Sequence, residues 1–324
     1  MASKPSIGGQ AVMEGVMMRG PVSWAIACRK PDSEIVVEAY SISGPRRAWM
    51  KWPFVRGVYT LVESLSIGLK ALKISGRYQL DEEDQAAADK SMGWGMGIGM
   101  VFFLAIFITL PAFISKVGGR KLGFESDLVQ NLFEGGIRIS FFVGYILLIS
   151  LIPDIKRVFQ YHGAEHKTIY AYENDEPLEP EVVDKYTTLH VRCGTNFLFI
   201  IMFLTIIGHL IADLMLPANI PLRLAARVLM IPLLAGISYE VIRAAGKNDR
   251  SVVFRIASMP GLAMQKITTR KPDHEQIEVA IKAMEAVIAR EAMTETARET
   301  VQVKTVETQV PSLLQPEPGA ATPS

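Results

Sequence analysis

The stretch Gly194–Leu216, GTNFLFIIMFLTIIGHLIADLML, decides the fold class of this chain. About 20 consecutive, predominantly apolar residues are enough for an α-helix to cross the hydrocarbon core of a membrane. This stretch meets that length, and its ionisable side chains are limited to His209 and Asp213. It therefore predicts a membrane-spanning helix.

Three more apolar runs of similar character predict further spans: Trp94–Ser115, Ile137–Pro153 and Leu222–Arg243. The second run is the shortest and begins beside Arg138, whose charge must reach the interface or a partner. The whole chain of 324 residues is 49% apolar, with a mean hydropathy of +0.24. These values indicate a protein that is part membrane and part aqueous.

We expect a mainly α-helical membrane protein with about four transmembrane helices, a small α+β N-terminal element and a C-terminal amphipathic helix. Four regions follow along the chain. They are a hairpin plus amphipathic helix at 1–92, a four-helix membrane domain at 93–245 with a histidine-rich loop at 154–192, a basic segment and helix at 246–290, and a disordered tail at 291–324.

The N-terminal region begins with GGQAVMEGVMMRGP at 8–21, whose glycines predict tight turns or a close approach of the backbone to a ligand. Ser23–Arg29 and Glu34–Ile42 are predicted to form a β-hairpin. Apolar residues recur at helical spacing in Pro53–Ser75, which predicts a helix lying on the membrane or covering the hairpin. His274–Arg290 has one apolar side and is the predicted amphipathic helix.

Basic residues predict the orientation in the membrane. Lys156–Arg192 carries five Lys or Arg, whereas Lys116–Gly136 carries three and Pro217–Pro221 none. By the positive-inside rule, both termini and the histidine-rich loop are cytoplasmic in the cell membrane of a bacterium. The net charge of +1 gives no electrostatic case for nucleic acid. Cys28 and Cys193 then lie on the reducing side, where a structural disulfide is not expected.

The histidine-rich loop contains YHGAEHKTIYAY at 161–172, with the pattern H-x-x-E-H at His162, Glu165 and His166. Two histidines four residues apart share a helix face, and Glu173 adds a carboxylate to that face. A second pair, His190 and Cys193 in LHVRCGTNF, precedes the span at Gly194–Leu216. Imidazole and thiolate are ligands that zinc accepts, although ordinary packing at a helix start explains this second pair equally well.

These three motifs occur in one chain in this order, and the sequence resembles the DUF1385 family of YqhQ-like bacterial membrane proteins. The resemblance covers roughly 7–290. It implies a predicted metal-dependent enzyme and leaves the reaction and the substrate open. The family pattern often has Pro at the position of Val191 and Ser at that of Asn196, and these departures leave His190 and Cys193 in place.

The expected cofactor is one divalent metal ion, most simply zinc, with His162 and His166 as ligands and Glu165 as general base. H-x-x-E-H is also the inverted zincin signature, in which a further downstream glutamate completes the site. Two glutamates compete for that position, Glu240 near the end of the fourth span and the nearer Glu173.

The number of protein ligands separates a structural from a catalytic metal. Four ligands, His162, His166, His190 and Cys193, would form a closed structural site, whereas three ligands and a water would form a catalytic one. The sequence leaves both arrangements open, and it does not establish that the two motifs meet.

Two other pairs of residues are candidates for function. Glu14 and Arg19 in the glycine-rich motif either approach the cytoplasmic site or belong to a structured turn. His209 and Asp213 lie at membrane depth, where ionisable groups are functional candidates by default. A packed ion pair between Asp213 and Arg223 or Arg227 would also explain them.

The sequence thus favours a membrane-embedded, metal-dependent hydrolase that acts on a membrane-associated substrate from the cytoplasmic face. One alternative is a scaffold or assembly factor with a structural metal site, whose partner is another membrane protein. An ion or solute transporter built on His209 and Asp213 is the weaker alternative. The lipid bilayer is a partner in every case, and homo-oligomerisation stays open.

Overall fold

The computed structural model describes residues 4–42, 48–81 and 93–309, apart from 96, 100, 104, 125, 218, 219 and 248–250. Within these residues the chain is mainly helical, with one small antiparallel sheet near the N-terminus. Four of the described helices are long and apolar enough to cross a membrane. The predicted fold class is therefore confirmed, and the chain is a multi-pass membrane protein.

The secondary structure runs as follows. The strands are β1 (Gly8–Val12), β2 (Gly15–Arg19), β3 (Ser23–Arg29) and β4 (Ile35–Ser41). The helices are α1 (Val55–Tyr78), α2 (Leu110–Lys121, after a π-helical turn at Ala105–Thr109), α3 (Asp127–Ile149), α4 (Pro153–Glu173), α5 (Pro180–Val183), α6 (Gly194–Met215), α7 (Ile220–Lys247), α8 (Val252–Thr268) and α9 (His274–Gln309).

The four spans lie at Gly93–Gly119, Leu128–Ile149, Gly194–Met215 and Ala225–Gly246. The second span begins nine residues before the predicted start at Ile137. The predicted start was late because polar side chains interrupt the apolar pattern in the first turns of this helix. One of them, Arg138, has the partner that its burial requires, since its guanidinium donates to Glu134 at 2.8 Å one turn earlier. The polar start of α3 is therefore membrane helix rather than loop.

The sheet is a meander in the order β1-β2-β3-β4, and all its neighbours are antiparallel. The predicted hairpin of β3 and β4 is confirmed. The glycine-rich motif forms two further strands, which the sequence did not predict, because its glycines indicated turns. Gly15 has a packing reason: a Cβ there would collide with the carbonyl oxygen of Ala27 on β3. Glu14 takes a positive φ of 47° in the tight turn between β1 and β2.

Helices cover both faces of the sheet. The alternation of β3 explains this, because Trp24, Ile26 and Cys28 pack with α1, whereas Ala25 and Ala27 pack with α4 and α9. The predicted amphipathic helix α1 therefore does cover the hairpin, through Ile67 and Ala71.

The C-terminal helix α9 supplies much of the second layer. Its residues Ile277, Ile281 and Met284, which define the predicted apolar side, are all buried against the sheet and α4. Near its middle, Glu291 accepts hydrogen bonds from the backbone and hydroxyl of Ser23 at 2.8 and 2.7 Å. The helix continues to Gln309, beyond the predicted end at Arg290, and the remaining predicted tail at 310–324 lies outside the described residues.

A polar network joins three of the spans. Asp213 of α6 accepts from Asn131 of α3 and from Arg227 of α7, each at 2.9 Å, and the side chain of Asp213 is only 4% exposed. Arg223 adds a longer contact of 3.6 Å. His209, one turn earlier, lies near the charge of Arg227. The ion pair that the sequence predicted for Asp213 is thus present.

Replacing Arg227 with Met should destabilise the membrane domain by about 3–5 kcal/mol, because it leaves the buried carboxylate of Asp213 without its closest cation. Denaturant unfolding of the detergent-purified protein measures this loss. The double variant D213N/R227M removes both charges and should recover part of it. A double variant as unstable as R227M would mean that the charge of Asp213 is not the cause.

Candidate metal centre

The histidine motif lies on α4, which is separated from the end of α3 by three residues. Pro153 occupies the first turn of α4, where proline is tolerated because the first backbone N–H groups of a helix have no intrahelical partner. The segment from Tyr161 to Tyr172 is largely buried against the sheet, α5 and α9. His162 and His166 share one face, and their ring centroids are 4.4 Å apart.

The structure brings the second motif to the first. Cys193 is the residue that precedes α6, and its Sγ lies 3.2 Å from Nε2 of His162. One ligand atom from each of His162, His166 and Cys193 falls within 4.8 Å of the other two. We call these three residues the His–Cys cluster. It is the group of this kind found within the described residues, and it connects α4 to the start of a membrane span.

Both histidines of the cluster are oriented through their other ring nitrogen. Nδ1 of His162 lies 2.9 Å from the carbonyl oxygen of Thr268, and Nδ1 of His166 lies 2.5 Å from that of Thr188. A carbonyl oxygen only accepts, so each Nδ1 carries the proton and donates it. Each Nε2 is then left with a lone pair. Metal-binding histidines are held in the same way, by an outer hydrogen bond that fixes the tautomer.

Burial keeps the second histidine neutral. His166 is 1% exposed, and this burial lowers the pKa of its imidazole below the usual range. A neutral imidazole can serve as a ligand, whereas a protonated one cannot.

The imidazole of His190 lies beside the cluster, with its ring 5.6 Å from that of His166. Its two ring nitrogens have other neighbours: Nδ1 accepts from the backbone N–H of Arg192 at 3.3 Å, and Nε2 lies 3.5 Å from a carboxylate oxygen of Glu173. The side-chain amide of Gln265 fixes its backbone, donating to its carbonyl oxygen and accepting from its N–H. His190 therefore lines the site without joining the three ligand atoms.

A family model described as a protein of unknown function, DUF1385, matches residues 52–290. The chain belongs to the DUF1385 family. It is also similar to the "Uncharacterized protein YqhQ" of Bacillus subtilis (strain 168), with 33% identity over 308 residues that cover 90% of this chain and 95% of that protein. No solved structure matches.

In this DUF1385 protein, Glu165 is not one of the three ligand residues, and the sheet holds its carboxylate. It is 4% exposed, and its carboxylate accepts from the backbone N–H of Gly9 on the edge strand β1. A Cβ on Gly9 would lie 2.8 Å from Cγ of Glu165, so the glycine makes room for the acid. Burial raises the pKa of Glu165, and the neighbouring imidazoles of His162 and His190 and the hydrogen bond from Gly9 N–H partly offset this.

The two glutamates predicted as further ligands have other partners. Glu173 forms an ion pair with Arg192 and reaches His190 rather than the cluster. Glu240 binds the guanidinium of Arg56 at 2.7 and 2.5 Å and accepts from the backbone N–H of Phe54. The structure thus brings neither carboxylate into the group of ligand atoms, because each neutralises an arginine.

Glu14 and Arg19 of the glycine-rich motif are also placed. Glu14 binds Arg157 of α4 at 2.5 Å and lies 3.3 Å from the hydroxyl of Tyr161, next to His162 in the chain. Arg19 pairs with Glu63 of α1. Glu14 therefore fixes the helix that carries the histidines, whereas Arg19 holds α1 to the sheet.

Sequence reasoning missed the groups that orient the ligands. Thr188 and Thr268 act through backbone carbonyl oxygens, which any residue supplies and no motif reveals. Gln265 is an uncharged residue within a segment that the sequence analysis identified only as basic. Contacts of this kind depend on the fold rather than on the residue type.

Gly163 lies between His162 and His166 on α4, where the helix packs closely against the chain that follows α8. A Cβ there would collide with the backbone carbonyl oxygen of Arg270. We expect Gly163→Ala to lower the free energy of unfolding by about 1–3 kcal/mol, because α4 must move away from the end of α8. The control is Gly144→Ala on α3, where a Cβ meets nothing within 4 Å. Thermal unfolding should show a lower midpoint for the first variant only, and equal midpoints would contradict the close contact.

Proposed function

We propose that this protein is a membrane-embedded, metal-dependent hydrolase that binds one divalent ion, zinc, at the His–Cys cluster and acts on a membrane-associated substrate. One observation carries the proposal. Two imidazoles present Nε2 lone pairs toward one thiol while both Nδ1–H groups donate to backbone carbonyl oxygens. Two histidines and a cysteine are a donor set that suits zinc, and their outer hydrogen bonds fit the same use.

Three protein ligands favour a catalytic over a structural ion. A tetrahedral site with four protein ligands is closed, and His190, the sequence's candidate for the fourth position, is engaged with Arg192 and Glu173. A zinc ion held by three side chains keeps one position for water and lowers the pKa of that water to about 7.

Glu165 is the proposed proton acceptor. A general base works best when its pKa lies near the operating pH, and burial shifts the pKa of this carboxyl upward from its ordinary value. The hydrogen bond from Gly9 N–H fixes one side of the carboxylate, while His162 and His190 lie near its charge. In the proposed hydrolysis Glu165 takes a proton from the water that attacks the substrate, and it returns this proton to the leaving group as the scissile bond breaks.

The position of the cluster suggests the substrate class. Cys193 lies immediately before the first turn of the span α6, so the ligand atoms are level with a membrane surface. A lipid-linked or membrane-bound peptide substrate can reach that level without leaving the bilayer. The excess of Lys and Arg in the loop at 156–192 supports a cytoplasmic location of this face and of both termini in the bacterial inner membrane.

Metal content tests the binding part of the proposal. The detergent-purified wild type should contain about one zinc per chain by elemental analysis, following from one group of three ligands. His162→Ala/His166→Ala should lose it. His190→Gln is the matched control and should keep it, because His190 is not one of the three ligands. A well-folded, metal-free wild type would remove the proposal.

Glu165→Gln separates catalysis from stability. The amide cannot take the proton, so turnover should fall at least 100-fold, in line with the contribution of general bases. The same change removes a buried ionisable group, so the thermal midpoint should stay equal or rise. Zinc content should not change. Retained turnover of a membrane-associated substrate in this variant would exclude Glu165 as the base.

A structural role for the metal is the second candidate, and the position of the cluster between helices favours it. Its ligands come from α4 and the start of α6, and its outer hydrogen bonds reach the end of α8. An ion there would lock the aqueous layers to the membrane helices and serve the assembly of a partner membrane protein. In that case removing zinc with a chelator would lower the thermal midpoint strongly, and Glu165→Gln would have no effect on function.

A further inference from the structure

The helix α1 has two apolar sides, and the sheet covers one of them. Ile67 and Ala71 pack on the sheet. The opposite side is exposed along most of the helix and carries a series of apolar residues that we call the leucine row: Leu61, Val62, Leu65, Leu69 and Leu72. Just before the helix, Trp52 and Phe54 are 63% and 47% exposed. A soluble surface rarely shows such a continuous apolar series.

The beginning of α1 packs on the span α7 through small residues. A Cβ on Gly236 would lie 3.1 Å from Cα of Phe54, and a Cβ on Gly57 would lie 2.8 Å from Cβ of Tyr239. From the first contact to the second, the residue number increases by three on both helices. The beginning of α1 therefore runs parallel to α7. Glycines at such contacts let helix backbones approach closely, as they do between membrane helices.

These contacts fix how deep α1 starts. Gly246, at the end of the fourth span, touches the side chain of Arg192, which immediately precedes Cys193 and the start of α6. That level marks the edge of the membrane on the side of the sheet. Gly236 lies ten residues before Gly246, or about 15 Å along the helix axis. Phe54 is therefore near the middle of the span at Ala225–Gly246.

The polar groups at this depth have partners. Arg56 forms a two-pronged ion pair with Glu240, and Glu240 also accepts from Phe54 N–H at the start of α1. The carboxylate of Glu240 thus neutralises the guanidinium of Arg56. It also accepts from a backbone N–H at the helix start, which has no partner within the helix. One turn later, Tyr59 donates to Glu63, which pairs with Arg19.

We propose that the first part of α1, with Trp52 and Phe54, is a re-entrant segment that enters the bilayer from the side of the sheet, and that the nearer end of the leucine row contacts lipid acyl chains. The surface continues that of the neighbouring span, where Leu229 and Leu233 of α7 are 75% and 52% exposed. The segment is a fifth element in the membrane. It attaches the sheet to the bilayer independently of the His–Cys cluster.

Spin labels on one added cysteine at a time test the depth in the full-length protein, reconstituted in vesicles of phosphatidylethanolamine and phosphatidylglycerol. Trp52→Cys and Leu61→Cys are the test positions. Leu229→Cys is the acyl-chain control, and Lys282→Cys on α9 is the aqueous control. All four native side chains are exposed, so these changes should not disturb folding. Labelled wild type gives the background from Cys28, which is buried, and Cys193, which is partly so.

Collisions with oxygen, which concentrates among acyl chains, and with a water-soluble nickel chelate report the environment of each label. At position 52 the collision rate with oxygen should exceed that with the nickel chelate severalfold, as at position 229. The ratio of the two rates at position 61 should be intermediate between the ratios at positions 52 and 282. Strong nickel broadening at 52 would overturn the proposal. So would protection from both reagents together with spin–spin broadening, because a second copy of the chain would then cover the surface.

Discussion

The site depends on where the chain enters and leaves the membrane. Backbone N–H and C=O groups in hydrocarbon must be satisfied within the helix, so a span is a rigid element with well-defined ends. The second span ends at Ile149, and the third begins at Gly194. The segment between these two fixed points carries H-x-x-E-H near its beginning and Cys193 at its end. The cluster forms because the segment folds back far enough for its end to meet α4.

The aqueous layers complete this arrangement from outside. Glu14 binds Arg157 on the exposed flank of α4, and Gly9 donates to Glu165 on its buried flank. Glu14 lies in the first turn of the sheet, and Gly9 lies in its edge strand β1. The glycine-rich motif therefore acts on the site without supplying a ligand. Its glycines are explained by close packing, since Gly9 faces Glu165 and Gly15 faces Ala27.

Sequence periodicity predicted the parts of the fold that depend on apolar patterning. The four spans, the helix α1, the β3–β4 hairpin and the apolar side of α9 all follow from spacing. So did the ion pair of Asp213, because an unpaired carboxylate is costly in a span. The strands β1 and β2 were missed because glycine and methionine weaken a strand pattern, although Val12, Val16 and Met18 are all buried. The ion pair of Glu240 could not be predicted, because its partner, Arg56, lies 184 residues away in the chain.

The second layer of the sheet has a consequence for how the protein is made. Ser23 of β3 and Glu291 of α9 are 268 residues apart, yet α9 covers the face of the sheet that Ala25 and Ala27 provide. At translation rates of about 5–20 residues per second, Ser23 is synthesised about 13–54 s before Glu291. The sheet cannot bury this face until all four spans have left the ribosome. Insertion of the last membrane helix therefore precedes closure of the aqueous layers, and a chain truncated within α9 would leave apolar strands open to chaperones and proteases.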